Sequence, residues 1–472
     1  MLLKRKSGLL VLLAAALAAS PSAPVAAGPE HLSITWSTSC DQVSADCGTL
    51  SLPVDWTHPS AARFDLSLVR VKAADQSRRI GVLMVNPGGP GDSGVDFALR
   101  ASTYFSPEVL ARFDIVGFDP RGVKRTSPIT CSKDLLAARP STFPANQVEF
   151  DRVAAYNQQL RADCRSLSGP VFDHADTLSV VQDVDALRRA LGERRITYFG
   201  HSYGSLIGEQ YAERYGDHLR AMVISATMDH SLGTEDFLVS EAITAEDSFT
   251  QFTTWCSGTP SCALHDHDTT STWNDLLARA DRGEVSEPTA KILANTVKLL
   301  KNPQWTELAA YLRDLTEQPP TPTVPTDPPN IGVLQAVFCQ DWQIRPADQA
   351  ELARLTALER QAAPHMHRAT AHDPAVGCIG LPPATNPQHH LHITKAPPIL
   401  ILNSAHDPVT PYSWPTNVHQ QSADTTVLLT YDGWGHQVYN RNTCTRTTTD
   451  TYLLTLTTPT PALHCPAVPP PA

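Results

Sequence analysis

The segment Gly200-His201-Ser202-Tyr203-Gly204 constrains this chain more than any other. It follows the apolar run Ile196-Thr197-Tyr198-Phe199 and opens a helical pattern that continues through Gln210 and Tyr211. Glycine, any residue, serine, any residue, glycine between a strand and a helix forms a sharp turn. The glycines are needed because the turn leaves no room for side chains near the serine. The serine oxygen is then held out over a sheet edge, and the helix N-terminus beneath it favours developing negative charge. The alternative is a glycine-rich turn with no chemistry; the strand before and the helix after favour Ser202 as a nucleophile.

Other short apolar runs have the look of strands buried on both faces. They are 81–85, 113–117, 221–224, 398–402 and 426–429. Between them lie helical patterns, such as 180–191, where Val181, Val184, Leu187 and Leu191 share a face. Strand alternating with helix predicts an α/β fold built on a mostly parallel sheet. The alternation stops at about residue 231 and resumes near 385. Helical patterns at 289–301, 305–317 and 347–362 fill that stretch, with a Pro-rich loop at 318–330. The expected organisation is a signal peptide at 1–27, a first core part at 28–230, an inserted helical lid at 231–385, and a second core part at 386–472.

A serine nucleophile needs a base, and the base needs an orienting carboxylate. In strand–turn–helix hydrolases the acid follows the serine in the chain and the histidine comes last. Asp407 follows the run 398–402 within the stretch SAHDPVTP, where open α/β sheets place their sites. His436 follows the run 426–429 within DGWGH. Each alone reads as a turn aspartate or a loop histidine; order and placement together make Ser202, Asp407 and His436 the expected triad. His406, adjacent to Asp407, points away from it in an extended segment, and His419 and His464 follow no strand end. Asp424 and Asp432 are weaker acid candidates. Two backbone N–H groups must also face the oxyanion. Tyr203, after the nucleophile, supplies one. The loop 86–91 (NPGGPG) after the run 81–85 supplies the other, from Gly89 or alternatively Gly88. No Lys-Ser/Thr pair follows this loop, which argues against a nucleotide site. Asp119-Pro120-Arg121-Gly122 reads as structural, with Arg121 tying down loops around the site.

The N-terminus reads as an export signal: Lys4, Arg5 and Lys6, an apolar run from Leu9 to Ala19, then Val25-Ala26-Ala27. That run is too short to span a bilayer, which takes ~20 residues. The chain carries a formal net charge of −11, and removing 1–27 makes it three units more negative. An acidic chain with no basic patch argues against nucleic acid as a partner. All 10 cysteines lie beyond the signal. An even number in an exported chain suggests disulfides. Neighbours in sequence pair as Cys40–Cys47, Cys131–Cys164, Cys256–Cys262, Cys339–Cys378 and Cys444–Cys465, although spacing alone leaves other connectivities open. No Cys or His cluster has zinc spacing, so neither a metal nor another cofactor is expected.

Taken together, several motifs resemble the secreted tripeptidyl aminopeptidase family of actinomycete-type bacteria. They are 86–94 (NPGGPGDSG), 117–122 (GFDPRG), 200–205 (GHSYGS), Trp255-Cys256, 262–264 (CAL), 407–412 (DPVTPY), and 433–436 (GWGH) followed by Cys444. The resemblance covers nearly the whole mature chain. It implies an α/β-hydrolase fold with a helical lid and release of short peptides, such as tripeptides, from free N-termini. The family's nucleophile, acid and base motifs fall on Ser202, Asp407 and His436. Two places depart from the family pattern: Ser225-Ala226 stands where Asp-Gly is usual, and 122–127 reads GVKRTS in place of G-x-G-x-S. Both lie near the site and bear on the substrate. An exopeptidase must also bind a substrate ammonium with a carboxylate in a partly dry pocket; Glu241, Glu246, Asp247 and Asp341 in the lid region are the candidates. The rival readings are an esterase on the same machinery and an inactive hydrolase fold used for binding. Oligomeric state is not legible.

Overall fold

The runs expected to be buried on both faces become the centre of a ten-stranded sheet. In this computed structural model, which describes residues 32–37, 40, 45–317 and 331–470, the strands are β1 (Thr35–Ser37), β2 (Asp46–Pro53), β3 (Arg63–Val71), β4 (Gly81–Asn86) and β5 (Phe113–Phe118), followed by β6 (Ile196–His201), β7 (Leu219–Ser225), β8 (Ile399–His406), β9 (Thr426–Trp434) and β10 (Leu463–Cys465). The expected signal peptide and the Pro-rich loop lie outside the described residues.

The sheet order is β1-β2-β3-β5-β4-β6-β7-β8-β9-β10. From β5 to β10 every neighbour is parallel, while β1, β2 and β3 form an antiparallel edge that joins β5. Side chains alternate across the parallel strands. Val82, Met84, Tyr198, Met222, Ile224 and Ile401 enter one core. Leu83, Val85, Phe199, Val223, Leu400 and Leu402 enter the other. Burial on both faces is why these strands read as unbroken apolar runs.

The antiparallel edge was not expected. In β3, Phe64 and Leu66 are buried while Arg63 and Asp65 are exposed, so one face meets water and no apolar run forms. Likewise, β9 runs on through Trp434, placing Asp432 and Gly433 in a strand where a loop was expected.

Between β7 and β8 the chain forms a run of helices: Thr234–Gly258, Thr269–Asp281, Thr289–Lys301, Trp305–Glu317, Gly332–Asp341, Gln349–Ala362 and His372–Gly377. Residues Leu32–Ala472 form one compact unit. All ten cysteines are paired, as Cys40–Cys47, Cys131–Cys164, Cys256–Cys262, Cys339–Cys378 and Cys444–Cys465, the five local bridges expected. Among the described residues no helix is long and apolar enough to cross a membrane.

Candidate active site

The turn after β6 is as tight as its glycines imply. A Cβ on Gly200 would lie 2.2 Å from Gly204 O, and one on Gly204 would lie 2.7 Å from Asn86 O. Between them Ser202 adopts φ 57° and ψ −127°, a conformation that L-residues rarely hold and that costs about 1–3 kcal/mol. Ser202 N donates to Ser225 O at 2.8 Å, and Ser205 N donates to Ser202 O at 2.7 Å. These bonds tie the serine to β7 and to the Tyr203–Tyr215 helix.

Asp407 follows the last residue of β8 and is fully buried. Its Oδ1 accepts from the N–H groups of Val409 (2.9 Å) and Thr410 (3.1 Å), and its Oδ2 accepts from Thr410 Oγ1 (2.6 Å). His436 Nδ1 lies 2.8 Å from Oδ2 and 3.0 Å from Oδ1. Burial pushes the Asp407 carboxyl up. The charge of His436 and the hydrogen bonds from His436, Thr410 and Val409 outweigh it and hold the pKa below the usual carboxylate value. Asp407 therefore stays ionised beside the imidazole. A further bond, Thr244 Oγ1 to Asp407 O at 2.6 Å, braces the aspartate from the inserted Thr234–Gly258 helix.

His436 sits just beyond β9. Its N–H donates to Lys301 O at 2.8 Å, and the preceding Gly435 N–H donates to His406 O at 3.0 Å. Nε2 is buried, has no protein hydrogen-bond partner, and belongs to the ring that lines a cavity with Ser202. With Nδ1 occupied by the carboxylate, Nε2 is the nitrogen left to exchange a proton with that cavity. The His201 ring lies 4.7 Å from the His436 ring. Burial first, then the charges of His436, Lys301 and Arg441, drive the His201 pKa well below the ordinary histidine value, so His201 is neutral.

The loop after β4 passes directly above the serine. A Cβ on Gly88 would stand 2.9 Å from Ser202 Cβ, and Gly88 N–H donates to Asn86 Oδ1 at 2.9 Å. Gly89 lines the cavity. Tyr203 is the first residue of its helix, where an N–H has no intrahelical acceptor. Ser93 Oγ donates to Asp119 Oδ1 at 2.5 Å, which ties this loop to the stretch after β5. Arg121 is buried, with Nε and Nη2 each 2.7 Å from Asp183 and Nη1 on Val54 O, and does not reach the cavity.

The cavity holds about 400 Å³. Besides Ser202, His436, His201 and Gly89, its wall carries Asp92 and Asp96 on one side and Lys301 and Asn302, at the end of an inserted helix, on another. Asp96 is engaged by Lys124 and by Arg125 Nη2 at 2.8 Å. Asp92 is exposed and has no ion pair among the described residues.

None of the four acids named as amine binders reaches this cavity. Glu241 accepts from Ala371 N at 2.6 Å, Glu246 holds His365, Asp247 holds His406 Nδ1 at 2.7 Å, and Asp341 sits in a buried hydrogen-bond cluster. The reason is topological: helices of the insertion also pack on one another and on the core, so an acid in that segment is not thereby at the site. Lys301, Asp92 and Thr410 were missed. Only Thr410 carried a local signal, standing three residues after the aspartate, where a hydroxyl can close a turn on the carboxylate. The rival histidines are spent elsewhere: His406 on Asp247, His419 on Thr426 Oγ1 at 2.7 Å, and His464 on Asp432. Asp424 lies in the short turn Ala423–Thr425.

The family model for the alpha/beta hydrolase fold matches residues 81–439. Three curated relatives align over most of their length. Carboxylesterase B of Mycobacterium tuberculosis is 31% identical over 494 residues, covering 94% of this chain and 92% of its own. Serine protease Hip1 of the same organism is 29% identical over 458 residues, covering 89% and 87%. The tripeptidyl aminopeptidase of Streptomyces lividans is 26% identical over 446 residues, covering 87% and 81%.

Proposed function

The chain belongs to the α/β-hydrolase fold family and is a serine hydrolase, and from that premise we propose that it is a secreted exopeptidase releasing short peptides, tripeptides among them, from free N-termini. Acyl transfer by serine is supported by the Asp407–His436 pair, 2.8 Å apart, beside a strained Ser202, and the exopeptidase reading by a cavity that the end of one inserted helix helps to wall, together with the similarity to the tripeptidyl aminopeptidase and serine protease Hip1. An exopeptidase must close its cleft beyond a fixed number of residues, and a wall contributed by the insertion at Lys301 and Asn302 is placed to do so. In this reading the insertion acts as a lid.

In the proposed reaction His436 Nε2 takes the proton of Ser202 Oγ as the oxygen attacks the peptide carbonyl. Asp407 holds the imidazole with Nδ1–H toward itself and stabilises the imidazolium. The oxyanion is met by the N–H groups of Tyr203 and Gly89; Gly88 N–H is already committed to Asn86 Oδ1, which favours Gly89. His436 then protonates the leaving amine, the C–N bond breaks, and an ester remains on Ser202. Water, activated by His436, hydrolyses the ester and restores the serine. We assign recognition of the substrate ammonium to Asp92, the cavity carboxylate without an ion pair, which is exposed rather than in the partly dry pocket expected from sequence. The export-type N-terminus, read from sequence, and the five disulfides support secretion.

The second reading is a carboxylesterase on the same residues, favoured by the similarity to carboxylesterase B. A panel of free-amine peptides, N-acetylated peptides and short esters, with products identified by mass spectrometry, separates the two. Acetylation that leaves peptide cleavage unchanged, or hydrolysis of esters alone, defeats the exopeptidase reading.

A further inference from the structure

Asp341 closes the last turn of the inserted Gly332–Asp341 helix and is fully buried, yet it faces the nucleophile turn. Its Oδ1 accepts from Thr177 N at 2.8 Å and from Asn386 Nδ2 at 2.8 Å. Its Oδ2 accepts from Thr177 Oγ1 at 2.7 Å and from Tyr203 Oη at 3.2 Å. Thr177 Oγ1 and Tyr203 Oη are themselves 2.6 Å apart. A carboxylate of the insertion thus meets the first residues of two core helices, Thr177–Ala190 and Tyr203–Tyr215. Asn386 extends the link, donating to Gln210 Oε1 at 3.1 Å two turns further along the Tyr203–Tyr215 helix.

We infer that Asp341 is a positioning residue: through the phenol of Tyr203 it orients the peptide unit whose N–H faces the developing oxyanion. The inference rests on the role given above to the Tyr203 N–H. That N–H belongs to the residue directly after Ser202, where φ and ψ are held against their preference, so the turn does not set its direction by local propensity. Ser205 N–H holds the carbonyl side of that peptide unit, and the anchoring of the Tyr203 side chain holds the other side. An oxyanion donor must be aimed before the reaction, since it contributes by being in place as charge develops. Asp341 aims it from the inserted segment, though from a different helix than the one whose end at Lys301 and Asn302 walls the cavity, which ties oxyanion geometry to the seating of the Gly332–Asp341 helix.

The test compares Asp341→Asn, Tyr203→Phe and the double variant, with kcat and KM measured on the best substrate and the site of fluorophosphonate labelling mapped in the wild type. Asn presents N–H groups where Oδ2 accepted, and Phe removes only the phenol oxygen. Each single variant should lower kcat about tenfold, less than the ~10²–10³-fold loss of an oxyanion donor itself, with KM within about twofold. The double variant should be no slower than the slower single, because both changes break one linkage. Multiplying losses, or a loss in KM alone, would overturn the inference. If Asp341→Asn does not fold, Tyr203→Phe decides: a folded Tyr203→Phe with wild-type kcat refutes it. Labelling of wild type away from Ser202 would instead sink the assignment of the nucleophile, a separate failure.

Discussion

Thr410 Oγ1 donates to Asp407 Oδ2 at 2.6 Å, the same carboxylate oxygen that His436 Nδ1 approaches at 2.8 Å. Together with the Thr410 N–H on Oδ1, this leaves the carboxylate one orientation, facing the imidazole. Thr410→Val keeps the shape and removes the hydroxyl. The expected result is a roughly tenfold drop in kcat at nearly constant KM, since one bond to a charged group is worth about 1.5–3 kcal/mol and part of that is recovered by relaxation. An unchanged kcat would show that the turn N–H groups suffice to aim Asp407.

Ser202 carries a prediction with two readouts of opposite sign. Ser202→Ala should lower kcat by on the order of 10⁴-fold or more. Ser202→Gly should do the same while raising Tm by about 1–3 °C, because glycine relieves the strain at φ 57°. Thermal melts of both variants beside wild type check this. A Gly variant that melts below wild type contradicts the strain.

Glu241 gives a pH prediction for stability. Burial, followed in the same direction by the charges of Glu359 and Asp407, pushes its carboxyl up to about 8. Between roughly 4.5, the value in an unfolded chain, and about 8, the folded protein holds a proton that the unfolded chain releases. Stability therefore falls as pH rises through that window, by on the order of a few kcal/mol. Glu241→Gln removes the titration and still accepts from Ala371 N. Its Tm should exceed that of wild type at pH 9, and the gap should close toward pH 5. A constant gap across that range would mean that Glu241 does not titrate there.

Asp92 tests the amine. Asp92→Asn should raise KM for free-amine peptides by about tenfold or more and leave esters without an amine untouched, because an ammonium loses its only unpaired carboxylate in the cavity. Equal losses on both substrate classes would point to a structural role for the loop.

The parts of this site that were legible in sequence are those whose chemistry is local. The Gly200–Gly204 turn announces itself because the backbone crossing needs glycine on both sides of one serine. Asp407 was placed by the unbroken apolar run of β8, which is buried on both faces, and His436 by the shorter run at the start of β9, whose Val427 and Leu428 are only half-buried. The antiparallel edge was not readable, since Arg63 and Asp65 of β3 face water and interrupt the pattern. Nor was the cavity wall. Lys301 reaches it because the end of an inserted helix meets the His436 loop, with Lys301 O accepting His436 N–H. Nothing in the vicinity of Lys301 in sequence announces that meeting. The same holds for Asp341, whose partners Thr177 and Tyr203 come from two other helices.

In the sheet β7 pairs directly with β8, although the whole inserted segment separates them in the chain. Ser202 is therefore made early and His436 near the end, on opposite sides of a seam that closes only once β8 and β9 have been translated. In the roles proposed above, a nascent chain, or one clipped within the insertion and stripped of its C-terminal part, holds Ser202 without His436 to deprotonate it. Latency during synthesis would then follow from the order of the strands.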